Sequence, residues 1–403
     1  MALLSVDEAL AQLLSAAEKY RTLQPSGQEA LALLSARGRI LAQDVIAPVA
    51  VPPARNSAMD GYAFRFADAQ ATSGLVISQR IPAGMAPVPL QTGTAARIFT
   101  GGLVPEGADT VEMQENCRES EGVVTLLQAP RLGANIRAAG EDIACGSMVL
   151  AAGTLLGPAQ LGLLASLGLT TVSVFQRLRV ALLCTGNELV PPGGVLQPGQ
   201  LFNSNETLLT AVLHQQGCDV INLPPVADSL AATLQALAHA VASGAQLIMS
   251  TGGVSVGEED HMRAAVQCMG QLDLWKVAIK PGKPLAFGSV QGIPFIGLPG
   301  NPQSVWVTSH VLALPFIRCL QGDLTVLSAF RVPAGFERQQ PQGRREYVRV
   351  RVVTDDQGQA RLVAHPQQGS GALSSAAWAD GLAIVEAGEL VGLGQSLNVL
   401  LLK

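Results

Sequence analysis

The chain has 403 residues with a formal net charge of −5; 48% of them are hydrophobic but only 4% aromatic, and 42 are glycine and 24 proline. That length exceeds one ordinary core and points to about two to four domains, while an aliphatic, turn-rich composition excludes a disordered or fibrous chain. The acidic balance argues against non-specific nucleic-acid binding, which needs a basic face, and six cysteines without a CxxC pair fit reduced core thiols of a cytoplasmic protein.

Residues 5–17 open with a cap-like Ser5 and the early acids Asp7 and Glu8, then place apolar residues at helical spacing, so an amphipathic helix is expected. No basic, apolar-cored leader is expected there. A second helix is expected over Gln28–Leu34, and a domain crossing at Pro48, Pro52 and Pro53. From Asn56 to about Gly140 short alternating runs (YAFRFAD, GLVISQ, AARIFTG, DTVEMQE, GVVTLLQ) read as a small β domain inserted at 51–140. Leu150–Gly168 returns to helix and Leu169–Phe175 to strand, which rejoins residues 141–177 with residues 1–50 as one discontinuous helical domain. The uncharged stretches Ser147–Gln176 and Pro284–Ile317 are interrupted by Gly157-Pro158, Gly168, Pro294, Pro299-Gly300 and Pro302, so they read as buried elements and not as membrane spans.

Residues 178–323 alternate short apolar runs with helical stretches, the signature of an open, mostly parallel α/β sheet. Strands are expected at Arg179–Cys184, Asp219–Leu223, Leu247–Ser250, Leu272–Ala278, Leu285–Val290 and Pro294–Leu298, and helices at about 206–216, 229–243, 258–269 and from Gln303 to Leu320. Residues 324–403 form a C-terminal β domain in which Arg345–Val353 alternates at period two.

The α/β unit concentrates the chemistry. Its strands end in loops of small residues, Thr251-Gly252-Gly253 and Gly300-Asn301-Pro302, which is the build of a ligand crevice along a carboxyl edge. Acids stand in loops at Asp60, Asp142, Glu188, Asp228 and Asp260, three of them in glycine-rich surroundings. Turns favour Asp for their own reasons, and Asp228 before Ser229 could cap a helix, yet hard oxygen ligands of this kind also suit Mg²⁺ beside phosphate. Lys276, Lys280 and Lys283 flank the crevice in a proline-stiffened run. Gly-Asn-Pro is consistent either with an ordinary turn into a helix or with a pocket floor offering N–H groups to an oxyanion. His214 and His261 lack a partner at metal-ligand spacing, and no Gly-x-Ser-x-Gly, P-loop or Rossmann fingerprint occurs. Positioning and electrostatic stabilisation of anions are what this residue set can do.

Jointly these loops resemble the MoeA/gephyrin E-domain family of molybdopterin molybdenumtransferases, which insert molybdate into adenylylated molybdopterin and release AMP. The resemblance runs through Asn56-Ser-Ala-Met-Asp60-Gly-Tyr, Phe99-Thr100-Gly-Gly, Pro105-Glu-Gly-Ala-Asp109, Asn135-Ile-Arg137 with Gly140-Glu-Asp142, Ser250-Thr-Gly-Gly-Val-Ser255-Val-Gly, Lys280-Pro-Gly-Lys283-Pro and Gly297-Leu-Pro299-Gly-Asn301-Pro302. It implies a four-domain homodimer whose active site lies between the α/β domain of one subunit and the inserted β domain of the other. Asp60, Thr100, Arg137 and Asp142 would come from one side, and Glu188, Asp228, Asp260, Lys276, Lys280 and Pro302 from the other. Ser250, Gly252, Gly253, Ser255, Lys283, Pro299 and Asn301 would line the substrate site, with a looser match at Arg349 and Ser370 of the C-terminal domain. Glu188 and Asp260 would hold Mg²⁺ as cofactor. Contacts with a molybdopterin adenylyltransferase and with cofactor-accepting proteins are also implied, and no nucleic-acid or membrane partner. Two positions depart from the pattern: Asn187 stands where the family usually has Asp before Glu, and Asn203-Ser-Asn205 where it usually has Asp-Ser/Thr-Asn. Alternatives that remain at this point are a related pterin- or nucleotide-processing enzyme and a non-catalytic molybdopterin-binding scaffold; molybdate and tungstate are not distinguished.

Overall fold

The computed structural model describes residues 3–254, 261–323 and 329–402. The N-terminal helix, Val6–Leu23, begins with a reciprocal cap in which the Ser5 hydroxyl accepts from the Glu8 amide and the Glu8 carboxylate accepts from the Ser5 amide. Its buried face, Val6, Ala9, Leu13 and Ala17, shares one apolar cluster with Leu178, Val180, Leu314 and Ile317. Its apolar face therefore packs on the α/β core.

The helix expected over Gln28–Leu34 is a strand, Gln28–Ala32, paired antiparallel with Thr171–Phe175 and followed by a 3-10 turn over Leu33–Ala36. Its residues are good helix formers, but exposure alternates along the run as a strand demands, and pairing overrides a weak local preference. Within Leu150–Gly168 only Pro158–Ser166 is helical, started by a proline in its first turn; Met148–Leu150 pairs instead with Val45–Ile46.

The inserted domain is a six-stranded sheet in the order Thr110–Met113, Gly61–Phe64, Thr94–Ile98, Leu75–Ile81, Val123–Leu126, Cys117–Ser120. Its first expected strand stops at Phe64: Asp109 Oδ1 accepts from the Phe66 amide at 2.7 Å, and Phe66–Ala71 turns helical.

The α/β sheet runs Asp219–Asn222, Arg179–Cys184, Leu247–Thr251, Ile293–Leu298, Pro284–Val290, Gly270–Lys276. Its first four strands are parallel, and Pro284–Val290 runs against them and pairs antiparallel with both of its neighbours. The chain leaves Arg179–Cys184 to one side and later returns to its other side, so the topological switch point, where open sheets bind ligands, lies at the carboxyl end of that strand. In the C-terminal sheet, Ile279–Lys280 of the α/β unit forms an edge strand parallel to Arg345–Glu346, stitching the lysine-rich loop to the last domain. Among the described residues no helix is long and apolar enough to cross a membrane.

Leu13 is fully buried in the shared cluster. Leu13→Ala is expected to destabilise the protein by about 2–5 kcal/mol through lost transfer energy and a residual cavity, read as a lower denaturation midpoint in urea.

Candidate active site

Two groups of side chains stand out, in separate sheets with separate cores. In the inserted domain, Ile136–Arg137 pairs with Asn56–Ser57, and the Ser57 amide and carbonyl bind Gly102 and Gly101 of the next turn. That arrangement brings the Asp60, Thr100 and Arg137 segments together. Asp60 Oδ1 accepts from both the amide and the hydroxyl of Thr100, each at 2.8 Å. The Thr100 amide, then its hydroxyl, and Arg97 farther off hold the Asp60 carboxyl below the usual carboxylate range. Asp142 ends the same loop system, its amide bound to the Val51 carbonyl at 3.0 Å.

In the α/β unit, Asn187 and Asp228 hold each other. The Asn187 amide donates to Asp228 Oδ2 at 2.9 Å, and the Asp228 amide donates to Asn187 Oδ1 at 3.1 Å. The cap role open to Asp228 falls to Ser229, whose hydroxyl accepts from Ala232. The Glu188 carboxylate lies over Gly186: a Cβ on that glycine would sit 2.4 Å from Glu188 Oε2. Gly252 is equally constrained, with φ +85° and a hypothetical Cβ 2.6 Å from the Thr185 carbonyl. Thr251 Oγ1 donates to Pro299 O at 3.0 Å and accepts from Asn205 Nδ2, which also donates to Gly300 O at 2.6 Å. The side-chain oxygens of Thr185, Ser250 and Asn205 at this edge are buried without a hydrogen-bond partner among the described residues.

The remaining expected residues fall as follows. Lys276 ends the Gly270–Lys276 strand opposite Pro284, and the Lys283 carbonyl accepts from the Val277 amide. Lys280 Nζ lies 3.2 Å from Glu346 Oε1 and 3.0 Å from Gln342 Oε1, so it is already engaged with the C-terminal domain. Asn301 precedes the Pro302–Thr308 helix without a side-chain cap bond, and the Gln303 amide donates to the Ser370 carbonyl at 3.0 Å. One of the N–H groups expected to face an oxyanion is thereby occupied. Arg349 is fully buried and bound to Tyr347 O and Ser375 Oγ, and burial lowers its guanidinium to about 10; its Nη2 has no hydrogen-bond partner among the described residues. Ser255 and Asp260 lie outside the described residues.

Sequence reasoning missed Asn205, Thr251, Gln303 and Glu346 as organising residues. Asn205 closes the Asn203-Ser-Asn205 motif and Gln303 adjoins Gly-Asn-Pro, but only burial with hydrogen bonding gives them an organising role.

The chain matches three consecutive family models: "MoeA N-terminal region (domain I and II)" over residues 4–168, "Probable molybdopterin binding domain" over 181–319 and "MoeA C-terminal region (domain IV)" over 331–402. It is 40% identical to the molybdopterin molybdenumtransferase of Haemophilus influenzae over 353 residues, 86% of each chain. The chain belongs to the MoeA family. A molybdopterin molybdenumtransferase of Nostoc sp. is 39% identical over 73% of this chain and 70% of its own. The crystal structure of a MoeA protein of molybdopterin biosynthesis from Pyrococcus horikosii superposes over 100% of both chains with a TM-score of 0.79 at 27% identity. The three matches follow one another along the chain in the order in which the models are named, from domain I and II to domain IV.

Two outcomes follow from the local geometry. Thr100→Val removes one donor to Asp60, so its carboxyl should titrate at higher pH than in the parent; carbon-detected NMR of the Asp60 carboxyl reads this. With the parent's pKa depressed, the favourable Asp60–Thr100 contact is present above the unfolded-state pKa and lost as pH falls through the folded one. Gly252→Ala should destabilise the protein by about 1–3 kcal/mol, from left-handed strain and the clash with Thr185, measured as a fall in melting temperature.

Proposed function

We propose that this protein inserts molybdate into adenylylated molybdopterin and releases AMP, in the cytoplasm and as a homodimer. The observation that carries the reading is the convergence, at the switch point of a sheet in a MoeA-family chain, of the Glu188, Asp228 and Gly252-Gly253 loops. Unpartnered oxygens of Thr185, Ser250 and Asn205 support a polar ligand at that edge. The active site is completed across subunits by Asp60, Thr100, Arg137 and Asp142 of the partner's inserted domain.

The division of labour follows from charge. Lys276 and Lys283, with Lys280 shared with Glu346, neutralise phosphate and molybdate oxygens. The Asn187–Asp228 pair fixes one carboxylate, and Gly186 gives Glu188 room to lie over the backbone. These two carboxylates in neighbouring loops fit Mg²⁺, which characteristically takes one or two carboxylates and fills its shell with water and substrate phosphate; Asp260 would complete the set. When bound, the ion supplies charge neutralisation on the phosphoanhydride. The chain's own residues hold the pterin phosphate, orient the anhydride and place molybdate beside it. The same loops present themselves to the adenylyltransferase that supplies the substrate and to proteins that accept the product.

Purified protein with adenylylated molybdopterin, Mg²⁺ and molybdate should release AMP in a molybdate-dependent manner. Tight pterin binding without AMP release would instead support the scaffold reading. Asp60→Asn should lower turnover by about 10²-fold or more while folding and dimerisation persist. Mixed dimers of Asp60→Asn with Lys276→Ala should regain activity that neither variant has alone; failure to complement would place both residues in one subunit's site.

A further inference from the structure

The inserted sheet carries a second feature beside Asp60 and Thr100. Arg80 and Arg97 are direct register partners on the parallel strands Leu75–Ile81 and Thr94–Ile98, so two cations stand side by side on one face. Cross-strand like charges are unfavourable. Both guanidiniums rest on the same ring, at 4.6 Å and 4.8 Å from the centroid of Phe99, and Arg97 also lies 4.9 Å from the ring of its other cross-strand partner, Tyr62. Arg97 has only neutral acceptors, Gly61 O at 3.0 Å and Gln114 Oε1 at 2.5 Å. The ion pairs among the described residues involve Arg39, Lys280, Arg338 and Arg345 instead. The sheet thus holds two planar cations fixed by the ring of Phe99, the neighbour of Thr100, with no carboxylate at ion-pair distance among the described residues. Arg80 is exposed and Phe99 half-buried, so the face is open to a ligand.

We propose that Arg80, Arg97 and Phe99 form a docking shelf for a tetrahedral oxyanion that enters the site beside Asp60. The inference rests on the transferase reading for which anions are present, and two carry this chemistry: the adenylyl phosphoryl group and molybdate. Stacking leaves the guanidinium edge of Arg80 free to donate paired hydrogen bonds to such oxygens, while Arg97 adds charge and the N–H groups not spent on Gly61 and Gln114. An adjacent pair offers two sets of donors without ordering a flexible chain, since both side chains are already held by the ring. The Asp60 carboxylate is bound to Thr100 and makes no ion pair with Arg97 or Arg80, so among the described residues the shelf is not closed by it.

Calorimetric titration of the full-length protein with AMP and, separately, with molybdate tests this, comparing the parent with Arg80→Gln and Arg80→Lys. Arg80 is the clean probe, because Arg97 also holds Gly61 and Gln114. Arg80→Gln should weaken one of the two ligands by about tenfold and flatten the salt dependence of that binding. Arg80→Lys, which keeps charge but loses the planar fork, should fall between. Loss confined to AMP assigns the shelf to the adenylyl phosphoryl group, and loss confined to molybdate assigns it to the metal oxyanion. Affinities for both ligands within about twofold of the parent, or a parent that binds neither, would overturn the shelf; an unchanged melting temperature excludes misfolding as the cause. Arg80-dependent binding in a protein that shows no molybdate-dependent AMP release would leave the shelf standing and remove only the transferase reading.

Discussion

The hydroxyl of Thr251 is the point on which the α/β crevice depends. It stands at the end of a parallel strand and donates to Pro299 while accepting from Asn205, whose amide reaches on to Gly300. The Thr251 carbonyl accepts from the Thr185 amide at 3.0 Å, and the Gly252 amide donates to Leu298. Three separate chain segments, around 185, 251 and 300, are therefore set by a threonine 2% exposed and an asparagine 8% exposed. Water does not compete in such a place, and losing one partner strands the others at the full cost of a buried polar group.

A second constraint ties the crevice to the C-terminal domain. Glu346 is 3% exposed, and such a carboxylate is tolerable only beside cations; Lys280 at 3.2 Å and Arg338 at 3.7 Å provide them. Ile279–Lys280 is also an edge strand of the C-terminal sheet, so the lysine is fixed by backbone pairing as well as by charge. From the other direction Gln303 binds the Ser370 and Ala372 carbonyls and the Ser375 hydroxyl, and Ser375 meets the buried Arg349. The C-terminal domain thus caps the Pro302 helix and neutralises part of the lysine loop. Its position sets how much positive charge the crevice can offer to a substrate.

The order of the domains, the parallel strands and the crevice at their carboxyl ends were legible because they rest on short-range signals: apolar runs of strand length, glycines closing helices, acids and glycines at strand ends. The loops that carry Asp60, Thr100, Glu188 and Asp228 could be read for the same reason. What escaped depended on partners distant in sequence. Gln28–Ala32 is a strand only because Thr171–Phe175 lies alongside. The N-terminal helix joins the α/β core because its apolar face meets Leu314 and Ile317, some three hundred residues on. The burial of Arg349 was hidden for the same reason: the alternation of Arg345–Val353 suggests one open face, but Glu346 to Val350 are buried on both faces where the strand is covered by its neighbours.

The two amides that replace acids in the family pattern have definite physical work in this chain. Asn203 caps the Ser204–Gln215 helix, its Oδ1 accepting from the Glu206 amide while its Nδ2 donates to the Glu206 carboxylate at 2.9 Å. A carboxylate there could still accept from the helix, but it would face Glu206 with charge instead of a donor. Asn187 likewise accepts from the Asp228 amide while its own amide binds the Asp228 carboxylate. An acid at 187 would keep both of those bonds and add a charge between Glu188 and Asp228, where like charges a few ångströms apart cost about 1–4 kcal/mol at surface dielectric. At 187 the amide therefore preserves the hydrogen-bond geometry of the loop and changes only the electrostatics, while at 203 it also adds a donor to Glu206. A ligand or cation entering between Glu188 and Asp228 meets the same shape with one negative charge fewer, so the difference from the family pattern should lie in how strongly positive charge is drawn in, and not in where the two carboxylates stand.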